Sequence, residues 1–135
     1  MSEIIKIRFV IHRHEALRAG LHYDFRFEKP ENKNKLYSFA LKFINFESGE
    51  KIPMIDRKGY GGEHDHSWLD VERKEIEEGE YGAGVITKID GGILDMNSDF
   101  EKGKKYSFEA NSKYLKGSFT IFRISDSKIW EIYKK

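Results

Sequence analysis

"LHYDFRFE" (residues 21–28) changes character at every step. Leu21, Tyr23, Phe25 and Phe27 share one parity, and His22, Asp24 and Arg26 share the other. Successive side chains of an extended chain point to opposite faces, so this is the pattern of a strand with one apolar wall and one polar row. The apolar half bears on fold class, and the polar half on function. Side chains at i and i+2 stand roughly 7 Å apart on one face, so His22, Asp24 and Arg26 form a contiguous row.

The same period of two recurs along the chain. "IIKIRFVI" (4–11) puts Ile5, Ile7, Phe9 and Ile11 on one face, and "LYSFALKFI" (36–44) does so with Tyr37, Phe39, Leu41 and Phe43. Further candidates are "GVITKI" (84–89), "GILDM" (92–96), "KYSFEA" (105–110), "GSFTIFRI" (117–124) and "KIWEIYK" (128–134). With the opening stretch these make eight short strands rich in aromatic and β-branched residues, the signature of an all-β chain. "KPENKNK" (29–35), "DGG" (90–92), Gly103 and "DSK" (126–128) carry turn chemistry and read as connections. Only "HEALRAG" (14–20) and "WLDVERKEIEEG" (68–79) could hold a helical turn. The expectation is a small closed or nearly closed β-barrel of about eight mostly antiparallel strands with one or two short helical turns. At 135 residues it should be one domain, 1–135, with a core built from Phe and Tyr. The weakly patterned stretch 45–83 is too long to be an idle loop, and two of the five histidines fall within it.

Composition narrows the function classes. Twenty-four basic residues against 23 acidic ones supply no general field for holding nucleic acid, so any such partner must be gripped by a local basic site. The absence of cysteine removes disulfides, thiolate metal sites and cysteine nucleophiles together, and suits a reducing cytoplasm. The N-terminal run "MSEIIKIRFVIHRHE" has only short alternating apolar segments, neither a signal peptide nor a membrane span. The expectation is a soluble, cytoplasmic monomer without a membrane partner.

The five histidines fall in three groups: His12 and His14, His22, then His64 and His66. Two imidazoles and a carboxylate suit a divalent transition ion such as Mn²⁺ or Zn²⁺. An arginine two residues on could fork onto a phosphate bound there, and a further histidine could donate to a phosphate oxygen or protonate a leaving group. The bland alternative is a solvated polar face, the usual meaning of one H-x-D on an amphipathic strand. The aromatic stripes read as core, "ERKEIEEGE" as a solvated face, and "EEGEYGAG" (77–84) as a charged turn whose glycines allow tight geometry. "HDHSWLDVE" offers a rival, since H-x-H followed by glutamate loosely resembles the metal-binding stretch of cupin barrels; that would make His64 and His66 joint ligands in an enzyme acting on a small metabolite.

"RFVIHRHEALRAGLHYDFRFE", followed by "EHDH" and "EEGEYGAG", resembles the 3′-phosphoesterase domain of bacterial DNA ligase D and its stand-alone archaeal relatives. That family reads F-V-x-x-K-H-x-A-x-x-L-H-Y-D-F-R-L-E, then E-D-H-P, then P-E-G-x-Y-G-A-G. The likeness runs from residue 8 to about 133, the C-terminal half by strand pattern and "LKGSF". It implies a small β-barrel enzyme that removes a 3′-phosphate, and in some members a 3′-terminal ribonucleoside, from DNA or RNA ends during repair by non-homologous end joining. By the motif, His14, His22 and Asp24 are implied as ligands of one metal, Mn²⁺ first with Zn²⁺ or Co²⁺ as alternatives. Arg26 and His66 are implied as phosphate contacts, making these five the catalytic set. His12 falls where the family commonly has glutamine and His64 where it has glutamate; His12 is an extra ligand or phosphate contact. Lys42, Arg57 and Lys58 are the best matches to the family's basic substrate-binding positions. The implied partners are primer-template 3′ ends and a separately encoded DNA ligase or polymerase.

The departures are also informative. The His14 to His22 interval is two residues longer than in the family. The family's functional tyrosine is replaced by Asp70, and nearby Trp68 cannot supply a hydroxyl. The stretch before residue 8 is shorter than the arm supporting ribonuclease activity in bacterial members, so phosphomonoesterase activity is expected ahead of ribonucleoside removal. A catalytically weak end-binding barrel is the alternative.

Overall fold

The computed structural model describes residues 3–56, 64–80 and 83–135, with only the backbone of His64. Its elements are β1 (Ile4–Ala16), β2 (Gly20–Lys29), β3 (Asn32–Leu41), β4 (Lys51–Ile55), β5 (His64–Asp65), a 3-10 turn (His66–Asp70), β6 (Arg73–Ile76), β7 (Gly84–Asn97), β8 (Lys105–Asn111), β9 (Lys116–Arg123) and β10 (Ile129–Lys134). The chain is all-β, and no described helix is long and apolar enough to cross a membrane.

Pairing runs β1-β2-β3-β4-β10-β9-β8-β7 and returns from β7 to β1, an antiparallel ring of eight strands. The seam is thin at two joints: β3 and β4 share the single pair Ala40↔Ile55, and β7 and β8 only two. The closure therefore matches the expected nearly closed barrel. Inside the ring lie the expected stripes: Ile7, Phe9 and Ile11 from β1, Phe25 and Phe27 from β2, and Tyr37, Phe39 and Leu41 from β3. Each buried side chain of this size contributes about 1.5–3 kcal/mol. At one end, Tyr37 and Tyr106 both donate to the Glu31 carboxylate, at 2.5 and 3.0 Å. Burial, with Glu31 beside them, raises both phenols, Tyr106 to about 12. Phe43, expected on the same stripe, lies beyond the end of β3 and is 67% exposed.

Two corrections concern turns. "DGG" is not a hairpin: β7 runs straight through it, paired with β1 from Ala16↔Gly84 to Ile4↔Asn97. The register shifts between Ile11, paired with Asp90, and His12, paired with Lys88, so a bulge falls at Ile89 just before the glycines, a common device beside functional sites. Lys88 Cε lies 2.9 Å from where a Cβ on Gly91 would be. The Asp90 carboxylate meanwhile accepts from Ser112 Oγ at 2.7 Å and Tyr114 N–H at 2.9 Å, tying β7 to the loop before β9. Nor is "HEALRAG" helical. It holds the end of β1, a tight turn with Gly20 at φ +74°, and the start of β2.

The weakly patterned region 45–83 supplies β4 and a strap across the outside of the ring. The strap starts on β3 with Lys35↔Asp65, passes through the 3-10 turn, and ends as β6 on the free edge of β7, where Lys74 faces Ile86. The turn is capped by Asp65, which accepts from Ser67 N–H, and buries Leu69 against Val10 and Leu36. The helical turn expected within 68–79 is thus met by the end of the 3-10 turn at 68–70, while 73–76 is a mostly exposed strand. The strap explains why β2 is buried on both faces.

Candidate functional site

The β1–β2 register sets His14 opposite His22, His12 opposite Asp24 and Val10 opposite Arg26. Even-numbered positions of both strands thus share the outer face, and the tight turn after β1 puts the two histidines of the cluster near the hairpin end. His14, His22 and Asp24 are buried there with one ligand atom each, all within 4.8 Å of one another. His22 Nε2 is 3.3 Å from Asp24 Oδ1, and His14 Nδ1 is 3.5 Å from Oδ2. The two contacts end on different oxygens of Asp24, and the three ligand atoms lie close enough together to share one ion. His22 Nδ1 is buried without a hydrogen-bond partner, which in protein alone costs about 1–3 kcal/mol. Burial raises the Asp24 carboxyl, but hydrogen bonds from His14 and His22 and the Arg26 charge outweigh it, holding it well below the usual carboxylate range. A carboxylate held in its ionised form beside two imidazoles is a donor set that could hold a metal ion.

Arg26 is the next member of the row and is also buried. Its Nη1 donates to His12 Nδ1 at 2.5 Å, its Nη2 approaches Asp24 at 3.4 Å, and its guanidinium lies 4.5 Å from the centre of the Trp68 ring. Burial lowers its basicity and Asp24 opposes that shift. Arg26 Nε is buried without a partner. His12 is engaged at both nitrogens. Nε2–H donates to the Val71 carbonyl at 2.8 Å, which leaves Nδ1 as the acceptor for Arg26. Burial first and the Arg26 charge second push its pKa down to about 4, keeping the ring neutral as that contact requires. In this geometry His12 faces Arg26 rather than the cluster.

His66 stands apart from the triad: its Nε2 is 2.8 Å from Glu28 Oε2. Lys42 is exposed one residue past Leu41, whose partner Tyr23 lies between His22 and Asp24. Arg57 and Lys58 lie outside the described residues, as does the side chain of His64, so its pairing with His66 as joint ligands has no geometry here. Asp70, at the family's tyrosine position, is exposed and pairs with Arg8 at 2.8 Å. Trp68 occupies the space over Arg26 with a ring face instead of a hydroxyl, and Lys74 Nζ lies 5.0 Å from the ring centre. Sequence reading overlooked Glu28, although its parity continues the row 22, 24, 26. It could not have found Val71, which acts through a main-chain carbonyl. "EGEYGAG" behaves at Gly84 as a tight-geometry motif: φ is +140° and a Cβ would lie 2.0 Å from the Glu15 carbonyl oxygen.

No known family model matches the chain, and no curated protein matches it.

Proposed function

We propose that the chain is a metal-dependent 3′-phosphoesterase that converts a 3′-phosphate on a DNA or RNA end to a 3′-hydroxyl, with water as the co-substrate and inorganic phosphate as the other product. The observation that carries this reading is a buried His14–His22–Asp24 cluster with the buried, incompletely partnered Arg26 next in the row. The resemblance of "LHYDFR" and "EGEYGAG" to the ligase D domain supports it.

In this reading His14, His22 and Asp24 hold one divalent ion, Mn²⁺ ahead of Zn²⁺ or Co²⁺. Such an ion supplies Lewis-acid polarisation of a phosphoryl oxygen. Arg26 binds the phosphate through its free N–H groups, and its orientation is already fixed by His12 and the Trp68 face. A pre-set guanidinium loses little freedom on binding and matches two phosphate oxygens. His66 donates to the phosphate from the strap, and exposed Lys42 offers a charge to the strand backbone. With net charge +1, grip beyond the terminal nucleotides is weak. The healed 3′-hydroxyl is the group that a separately encoded ligase or polymerase requires.

A 3′-phosphorylated primer incubated with Mn²⁺ should release inorganic phosphate, and His22→Ala should abolish the release. Unimpaired release by His22→Ala would overturn the assigned site. Metal-dependent binding of the phosphorylated end without product under any metal would favour the end-binding barrel.

A further inference from the structure

Glu28 is a buried acid with no part in the scheme above. It lies one same-face step from Arg26 on β2, roughly 7 Å along the strand, and is 8% exposed. Both of its oxygens are committed. Oε1 accepts the Arg8 backbone N–H at 2.8 Å, and Oε2 stands 2.8 Å from His66 Nε2. An ionised carboxylate only accepts, so the proton of that second bond belongs to Nε2. The opposite nitrogen, Nδ1, makes no hydrogen bond among the described residues, and the His66 side chain is 34% exposed. The turn carrying His66 is fixed relative to Arg26 by Trp68, and Arg8 braces both of its ends. The Arg8 main chain binds Glu28 and its guanidinium binds Asp70.

We infer that Glu28 is a positioning residue that fixes the His66 ring by its Nε2–H, so that Nδ1 faces a phosphate oxygen beside Arg26, to which the imidazolium, with a proton on each nitrogen, donates. The inference rests on the phosphoesterase reading. A glutamine at 28 is not equivalent: its oxygen can accept from Arg8, but its NH₂ then donates to Nε2. A ring that accepts there carries its one proton on Nδ1, so the charge-assisted contact to phosphate is lost. Asp70 also gains a meaning, since it anchors the far end of the turn that presents His66.

The test is a double-mutant cycle on the Mn²⁺-loaded protein with Glu28→Gln, His66→Ala and the pair. Inorganic phosphate affinity is read by calorimetry, alongside KM and kcat for release from a 3′-phosphorylated primer. Glu28→Gln should weaken phosphate roughly tenfold, which is about 1.4 kcal/mol, and should add no further loss in the His66→Ala background. A Mn²⁺-dependent rise in melting temperature equal to wild type certifies that Glu28→Gln is folded with its metal cluster intact. If that variant melts below the assay temperature, Glu28→Met, of similar volume, takes its place in the cycle. Wild-type phosphate affinity in Glu28→Gln, or losses that simply add in the double variant, would overturn the inference. Failure of the parent reading looks different: the wild-type protein itself would neither release nor bind phosphate.

Discussion

Mn²⁺ should raise the melting temperature of this protein through three side chains only. Anything that binds the folded state alone stabilises it by RT ln(1 + [L]/Kd), about 2.7 kcal/mol at a hundredfold excess over Kd. Unfolding entropy of about 2.1 cal/mol/K per residue gives 135 residues about 0.28 kcal/mol/K. The shift at that excess is therefore roughly 10 °C. The ligand atoms of the three side chains already lie within 4.8 Å of one another, so closing around an ion needs side-chain rotation rather than strand movement. His22→Ala and Asp24→Asn should each remove the shift. Asp24→Asn should also lower the metal-free melting temperature, because Arg26 loses its carboxylate. His66→Asn should keep the shift, since His66 faces Glu28. Melting is followed by circular dichroism in EDTA and in excess MnCl₂. An undiminished rise in His22→Ala would refute the assigned ligands, and loss of the rise in His66→Asn would point to the cupin-like reading.

Gly84→Ala places a methyl group 2.0 Å from the Glu15 carbonyl at a φ of +140°. It should destabilise by about 3 kcal/mol or more, seen in a denaturant melt; an unchanged midpoint would contradict the tight β1–β7 contact. Arg26→Lys keeps the charge but gives up the fork and most of the ring contact with Trp68. Phosphate affinity should drop on the order of tenfold while the Mn²⁺-dependent melting shift persists, and equal affinity by calorimetry would remove Arg26 as the phosphate clamp. For Tyr106, the folded state keeps a proton that the unfolded chain loses near pH 10. Its stabilisation is complete below pH 10 and is lost as pH rises toward about 12, on the order of 2 kcal/mol. Melting temperature should fall across that window and fall less in Tyr106→Phe; parallel profiles would sink the assignment.

The ring was legible because most of its strands carry a strict apolar period, as at Ile7, Phe9 and Ile11 or at Phe25 and Phe27. "DGG" misled because hairpin chemistry is local, whereas its actual use is set by partners far away in sequence, β1 and the 112–115 loop. The strap was illegible for another reason: 73–76 reads R-K-E-I and lies exposed on an edge, so no apolar parity announces a strand. At the site, spacing alone brought His22, Asp24 and Arg26 into one row, and His14 joined them because the β1–β2 register sets it opposite His22. The orientation of His12 toward Arg26 was not readable, because it depends on a carbonyl 59 positions downstream.

β2 carries core on one side and chemistry on the other with the strap closed over it, and this limits how the segment can change. A substitution at 25 or 27 erodes the hydrophobic interior and lowers the amount of folded protein. One at 22, 24, 26 or 28 leaves the interior intact but disarms the outer row. Insertion of a single residue exchanges the two sets at once. Such a segment tolerates little change, and the freedom to vary is left to the hairpin tip at 17–21, the end of β3 and the strap.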